Sequence, residues 1–308
     1  MCIRDSYILW ILGELEERTT PAGRAEWAAF INSFQNPETG LFDKSGKSEE
    51  SVVHATAFAT AALKLLGHRP RYPLKWAEKV FESPASIERW LDAFYWNQIW
   101  TGSHEAGAAA AVLDAPWGLK LPPRWQQWLL EALDRRVDPA TGFWKQGITD
   151  RVIKSATTVD LGGAAHFWWL YRRIGRPIPH PEKVLTGIMS LQKKSGIWGN
   201  RLFNGPLPQG IDLDAINGMR LAWKELEPGT KAKHRERLVR VLEKYACALQ
   251  YHLGPQDSLL RLFKKAHKLV GTLNAMAELD LFYRELTGKS ILTTPKPLRS
   301  SLEKVAWQ

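Results

Sequence analysis

Apolar residues recur along this chain with a helical period, in two alternating styles. Some segments are apolar on almost every side, as in residues 52–66 and 161–174. Others carry a single apolar stripe, as in 74–82, 123–135 and 182–192. A helix that is apolar all round must be buried, whereas a striped helix faces water on one side. The alternation therefore predicts an inner and an outer layer of helices. Strict period-2 alternation bounded by turn residues, the signature of a half-buried strand, is rare and short. The segments that read as helices are 7–17, 22–34, 52–66, 74–82, 87–96, 103–113, 123–135, 160–174, 182–192, 214–225, 231–251 and 259–287 with a break, about twelve helices in roughly six pairs.

Glycine and proline mark these segments at a regular interval. Asn36-Pro-Glu-Thr-Gly-Leu-Phe42 recurs as Asp138-Pro-Ala-Thr-Gly-Phe-Trp144, with a shorter relative at Ser195-Gly-Ile-Trp198, so Gly40, Gly142 and Gly196 are spaced by 102 and 54. Gly67, Gly175 and Gly229, read as the left-handed residues that end helices, are spaced by 108 and 54. Pro73 and Pro181, suited to a first helical turn, are again 108 apart. The period is thus about 54 residues, with a degenerate copy between 85 and 120. The fold expected is all-α, a single α/α toroid (α/α barrel) of about six helical hairpins over residues 7–290, followed by a C-terminal tail, 291–308. An open solenoid is the alternative. Residues 1–6 join no pattern and resemble a translated sequencing adaptor from a metagenomic assembly, so they are set aside as non-native.

Composition narrows the classes further. At 308 residues the chain is long enough to bury roughly 75% of its extended surface. Two cysteines, Cys2 and Cys247, make neither a disulfide framework nor a CxxC pair. No apolar run approaches the ~18 residues of a membrane span, and no signal-peptide pattern is visible. With the native N-terminus expected upstream, localisation stays open. The net charge of +10 is concentrated in 231–244 and 264–268. It suits solvated helix faces, an anionic substrate or an acidic membrane surface. No nucleic-acid-binding signature accompanies it, so no nucleic-acid partner is expected.

The turns resemble those of the squalene cyclase and protein prenyltransferase superfamily of terpenoid-cyclase-like toroids, in which a Gln, a short spacer, Gly and Trp close each repeat. Gln35-Asn-Pro-Glu-Thr-Gly40-Leu-Phe42 and Gln192-Lys-Lys-Ser-Gly196-Ile-Trp198 are similar to that motif, and 138–144 is similar without the Gln. The phrase from His54 to Gly67 resembles the inner helices of the same group. The resemblance covers residues about 24–229 and implies a six-hairpin toroid with its site in a central cavity. Class II cyclases carry Asp-x-Asp-Asp, whose middle Asp protonates an alkene or epoxide. Here Asp212-Leu-Asp214-Ala215 matches the first two acids, which implies Asp214 as the general acid with Asp212 tuning it. Protein prenyltransferases bind zinc through Asp, Cys and His. The one comparable set, Cys247, His252 and His267, lacks their Gly-rich context, so no metal and no cofactor are expected. Cys247 reads instead as a small buried apolar residue.

The 54-residue interval also aligns polar columns. Glu50, His104, Thr158 and Asp212 fall in one; Val52, Ala106, Asp160 and Asp214 in a second; Phe58, Val112, His166 and Arg220 in a third. Inner-helix starts should converge on one rim of a cavity, bringing together Glu50, His54, His104, Glu105, Asp160, His166, Asp212 and Asp214. Helix capping competes for such residues and explains Asp212 and Thr158 better than Asp160 and Asp214, which lie two residues further in. The catalytic candidates are Asp214, Asp212, Asp160 and His104. The substrate-binding candidates are Glu50, His54, Glu105, His166, Trp96, Trp100, Trp144 and Trp198. Asp160 and Asp214, read as equivalent, could lie within the ~5–9.5 Å of a glycosidase acid pair. The 15 tryptophans supply core bulk, and their faces can also stabilise a carbocation or stack on sugar rings. Gly40–Ser48 mimics a phosphate-binding loop but has five residues between its glycines and no preceding strand.

Three functions suit these features. The first is general-acid chemistry on an isoprenoid-like substrate in an aromatic-lined central cavity. The second is a carbohydrate-active hydrolase or lyase acting on an anionic polysaccharide or oligosaccharide. The turn before Glu49-Glu50-Ser51 has a loose likeness to unsaturated glucuronyl hydrolases. The third is a non-catalytic toroid that binds a ligand or partner. An apolar, dry cavity would favour the first, and an open, polar-rimmed one the second. Oligomeric state stays open.

Overall fold

The computed structural model describes residues 3–43, 51–147, 152–199, 208–253 and 266–308. Among them there is no strand, only an isolated bridge between Gln35 and Phe42. The helices are α1 (Ile3–Ile11), α2 (Leu15–Arg18), α3 (Pro21–Asn32), α4 (Val52–Leu65), α5 (Trp76–Val80), α6 (Pro84–Asp92), α7 (Ile99–Gly102), α8 (Gly107–Asp114), α9 (Trp125–Asp134), α10 (Thr158–Ile174), α11 (Pro181–Leu191), α12 (Gly210–Lys224), α13 (Pro228–Leu253) and α14 (Ala266–Thr287). Short 3-10 turns cover Trp96–Gln98, Ser103–Ala106 and Ser301–Glu303.

The protein is all-α, and its two hydrophobic styles sort as expected. Every residue of α10 from Asp160 to Tyr171, and of α12 from Ile211 to Arg220, is buried. On α11 burial is confined to Val184, Leu185, Ile188 and Met189, one stripe at helical spacing. Contacts between the buried helices form a closed cycle. α1 packs on α4, α4 on α8, α8 and its preceding turn on α10, α10 on α12, α12 on α14, and α14 back on α1. Outside the cycle, α3 lies on α4, α5 on α8, α9 on α10, α11 on α12 and α13 on α14.

The repeated turn motif has a mechanical explanation. The Gln35 amide donates to the Gly40 carbonyl at 2.8 Å and to the Tyr72 carbonyl at 2.7 Å, while its oxygen accepts from the Tyr72 amide at 2.8 Å. Gln192 repeats the device, donating to Gly196 and to Val241, both at 2.8 Å. One side chain thus fastens its own turn to the next outer segment. The glycines adopt φ of +76°, +79° and +93° at 40, 142 and 196. A Cβ on Gly40 would stand 2.4 Å from the Pro73 carbonyl oxygen, and one on Gly196 would stand 2.5 Å from that of Lys244. Only glycine combines that backbone region with so close an approach.

Several expectations need correction. Gly67 and Gly175 have the left-handed conformation, but Gly229 lies inside α13, and Glu225 caps α12 at φ −86°. The degenerate copy is a broken inner helix, in which the Ser103–Ala106 turn separates α7 from α8. There the buried run Ala108–Ala111 brings α8 against α4. Cys247 is exposed, because it shares the outward face of α13 with Glu243, Lys244 and Gln250. Residues 3–6, read as joining no pattern, form the first turn of α1 with Ser6 buried. In the 291–308 stretch, Leu302, Val305, Ala306 and Trp307 are core residues. Tyr7 Oη donates to the Trp307 carbonyl at 3.2 Å, and the Ala306 amide donates to Asp114 at 2.7 Å.

Candidate functional site

A cavity of about 210 Å³ opens between the starts of α4, α12 and α14 and the middle of α10, lined by His54, Phe58, Trp100, His104, His166, Trp169, Asp214 and Lys268, together with the polar Arg4, Gln209 and Gln308. Helical spacing selects these side chains. His54 and Phe58 are one turn apart on α4, as are His166 and Trp169 on α10. Gly210, Ile211 and Asp214 share a face of α12. Gly271 lets α14 approach, since a Cβ there would lie 2.7 Å from the Gly210 nitrogen.

The two acids of Asp212-Leu-Asp214 serve different purposes. α12 begins at Gly210, four residues earlier than the sequence pattern suggests, which makes Asp212 the third helical residue. Its carboxylate accepts from the Gln209 amide and the Trp198 amide, both at 2.8 Å, fixing the helix start to the preceding turn. Burial pushes its pKa up to about 7 even against those two donors. Two residues at 3.6 per turn rotate the side chain by about 200°, so Asp214 faces the opposite way, into the cavity. Asp214 is 7% exposed and takes no hydrogen-bond or ion-pair partner among the described residues. Burial, reinforced by the neighbouring Asp212, raises its pKa well above the ordinary carboxyl value.

Asp160 is not the counterpart of Asp214. It is the third residue of α10 and completes a capping box with Thr157, the position that Asp212 holds on α12. Its Oδ2 accepts from the Thr157 amide at 2.7 Å, the Thr157 hydroxyl at 2.8 Å and Lys145 Nζ at 2.8 Å. The repeat interval is two residues shorter here than 54, because the turn-to-helix spacing differs between copies. The expected Asp160–Asp214 pair is therefore absent from the cavity wall.

The three histidines do converge. His54 stacks on His104 with ring centroids 4.1 Å apart, and His166 lies 5.2 Å from His104 and 6.1 Å from His54. Trp307 stacks on His166 at 4.7 Å and meets His54 and Trp169 edge-on, each at 5.4 Å. Burial, then the two neighbouring imidazoles, hold the pKa of His166 well below its ordinary value. Ser103 Oγ lies 2.7 Å from His166 Nδ1.

Of the other candidates, Trp100 lines the cavity. Trp144 and Trp198 are buried in turns, where each indole N–H donates to a carbonyl of the preceding outer helix, Leu133 at 2.9 Å and Ile188 at 2.8 Å. Trp96 does the same to Leu91 at 2.8 Å. These three are structural struts outside the cavity lining. Glu105 is half-buried in the Ser103–Ala106 turn and does not reach the lining. Glu50 lies outside the described residues, as does the side chain of His267. The sequence offered no sign of Trp307, Gln308 or Ser103, which contact the site from a stretch read as a tail or from the broken helix. Among the described residues no group of three or more His, Cys, Asp or Glu side chains is arranged to hold a metal ion.

No family model matches the chain, and neither a curated protein nor a solved structure is found to match it.

Proposed function

We propose that this protein is an enzyme in which Asp214 acts as a general acid on an uncharged proton acceptor of a small substrate, or substrate portion, held in the cavity. The observation that carries the proposal is the Asp214 carboxyl, buried, facing a cavity and without a hydrogen-bond partner among the described residues, a setting that raises its pKa. A neutral carboxylic acid near pH 7 can deliver a proton that an ordinary carboxylate has already lost. Phe58, Trp100 and Trp169 line the cavity, and aromatic rings stabilise the positive charge that protonation of an alkene creates. This accords with an isoprenoid-like substrate, the acceptor implied by the resemblance to terpenoid-cyclase-like toroids. The volume lies below the ~300–1,000 Å³ of drug-sized ligand pockets, which suits a short unsaturated group.

A second acceptor, the oxygen of a glycosidic or ether bond, is favoured by Lys268, Gln209 and Gln308 on the same walls. Difference infrared spectra of wild type against Asp214→Asn at pH 7 test the shared premise. A protonated-carboxyl band lost in the variant is expected, and a carboxylate band in its place would refute the acid. Binding of a short prenyl alcohol against a uronic-acid disaccharide, followed by thermal shift, separates the two acceptors. An isoprenoid-like substrate predicts stabilisation by the alcohol alone.

A further inference from the structure

His166 has a feature that the general-acid proposal leaves unused. Its ring is sandwiched against Trp307 and set edge-on to Trp169, so its orientation is fixed from two sides. Its Nδ1 meets Ser103 Oγ at 2.7 Å, and the same Ser103 Oγ lies 3.0 Å from the Trp100 carbonyl oxygen. A carbonyl only accepts, and a serine hydroxyl has a single proton to give. If that proton went to His166, the Trp100 contact would lack a hydrogen. Both bonds form in only one assignment: His166 Nδ1–H donates to Ser103 Oγ, and the Ser103 hydroxyl donates to the Trp100 carbonyl. The proton of a neutral imidazole then sits on Nδ1, and Nε2 carries the lone pair. His166 lines the cavity, and its Nε2 takes no partner among the described residues.

We propose that His166 Nε2 is the proton acceptor of this site and that Ser103 is the positioning residue that holds it in the accepting form, so that the cavity gives a proton at Asp214 and takes one at His166. The inference rests on Asp214 as the donor and adds the class of reaction. Asp214 loses its O–H proton to one carbon of a substrate double bond, leaving a carboxylate and a carbocation. His166 Nε2 then removes a proton from an adjacent carbon, and the electrons of that C–H bond form the new double bond. Passage of the proton from imidazolium to carboxylate restores both groups. Atoms and charge balance with no co-reactant, so the substrate is isomerised and no water enters the product.

The groups around His166 favour its neutral form at rest. His54 from α4 and His104 from the 3-10 turn would each repel a proton on it, and Lys268 from α14 and Arg4 from α1 add positive charge to the same walls. Among the described lining residues the one acid is Asp214, whose pKa burial raises well above the ordinary carboxyl value. Once Asp214 has given up its proton, its carboxylate attracts the imidazolium that the second step forms, so the first transfer prepares the second.

Nitrogen NMR of the full chain with labelled histidine tests this without a substrate. His166 is expected to be neutral and protonated on Nδ1 at pH 7. In Ser103→Ala its signals should move toward the Nε2–H form or a mixture of the two. Added phenol, a small acid that can enter the cavity and donate to a free lone pair, should shift the Nε2 resonance of His166. An Nε2–H form in wild type, a protonated ring at pH 7, or an Nε2 resonance unmoved by phenol would each overturn the inference. An unchanged tautomer in folded Ser103→Ala would overturn the role of Ser103. If that variant does not fold, the wild-type spectra decide the assignment alone. Failure of the donor is read separately, from the infrared carboxyl band of Asp214. An ionised Asp214 beside a neutral His166 would remove the acid and leave the base standing.

Discussion

Replacing Asp160 with Asn should destabilise the fold and leave the cavity chemistry intact, and Asp214→Asn should do the opposite. Asp160 and Lys145 form an ion pair at 2.8 Å with side chains only 4% and 3% exposed. The same carboxylate oxygen holds the amide and hydroxyl of Thr157 at the start of α10. An Asn keeps the shape but takes the buried carboxylate away from Lys145 Nζ and from the Thr157 amide and hydroxyl, at a cost of about 3–5 kcal/mol. Unfolding entropy of ~2.1 cal/mol/K per residue makes ~650 cal/mol/K for the chain, so the melting temperature should fall by about 5–8 °C. Lys145→Met in the same chain should recover part of the loss, because no buried ammonium then faces an uncharged Asn. Asp214→Asn removes an acid that accepts no hydrogen bond among the described residues, so it should melt at or above wild type at pH 8. Differential scanning calorimetry of the two single variants and the Asp160/Lys145 double variant reads all of this. An Asp160→Asn protein melting within about 1 °C of wild type would refute the assignment of Asp160 to structure.

Three further outcomes can be checked. Asp212 and Asp214 are both raised in the folded state, so their contribution to stability is complete below the unfolded value near pH 4 and is lost as pH rises. For Asp212, raised from 3.8 to about 7, the loss spans roughly pH 4–7 and amounts to about 4 kcal/mol by linkage; urea midpoints at pH 5 and pH 8 should show it shrink in Asp212→Asn. Glu278 carries the opposite sign. Arg172 and Arg220 overcome burial and lower it to about 2, so its stabilisation is full above pH 4.5 and disappears toward pH 2, and Glu278→Gln should flatten the acid limb of a stability–pH curve. Gln35→Leu leaves the carbonyls of Gly40 and Tyr72 and the Tyr72 amide without their partner; a loss of about 2–3 kcal/mol in chemical denaturation is expected, and a loss under 0.5 kcal/mol would remove Gln35 as the fastener of the turn.

Local chemistry was enough to reveal the all-helical class. Apolar periodicity distinguishes α10 and α12, buried on every side, from the striped α11, because burial depends on how many faces of a helix repel water. The turn glycines were legible for a similar reason, since their φ and the approach of Pro73 and Lys244 exclude a side chain. His54 and His104 could be drawn to one cavity from sequence because each sits near the start of a buried helical segment, whereas His166 joins them from the middle of α10. The direction in which a side chain leaves its helix was decided elsewhere. It turns by about 100° per residue, so the four-residue difference between the expected and actual start of α12 determines which of Asp212 and Asp214 caps the helix and which faces the cavity. The same sensitivity separates Asp160 from Asp214. Trp144 and Trp198 became struts because the preceding outer helix offers each indole a carbonyl. Trp307 reaches His166 from the far end of the chain, a contact that no periodicity encodes, because it depends on how the last residues pack back against α1 and α10.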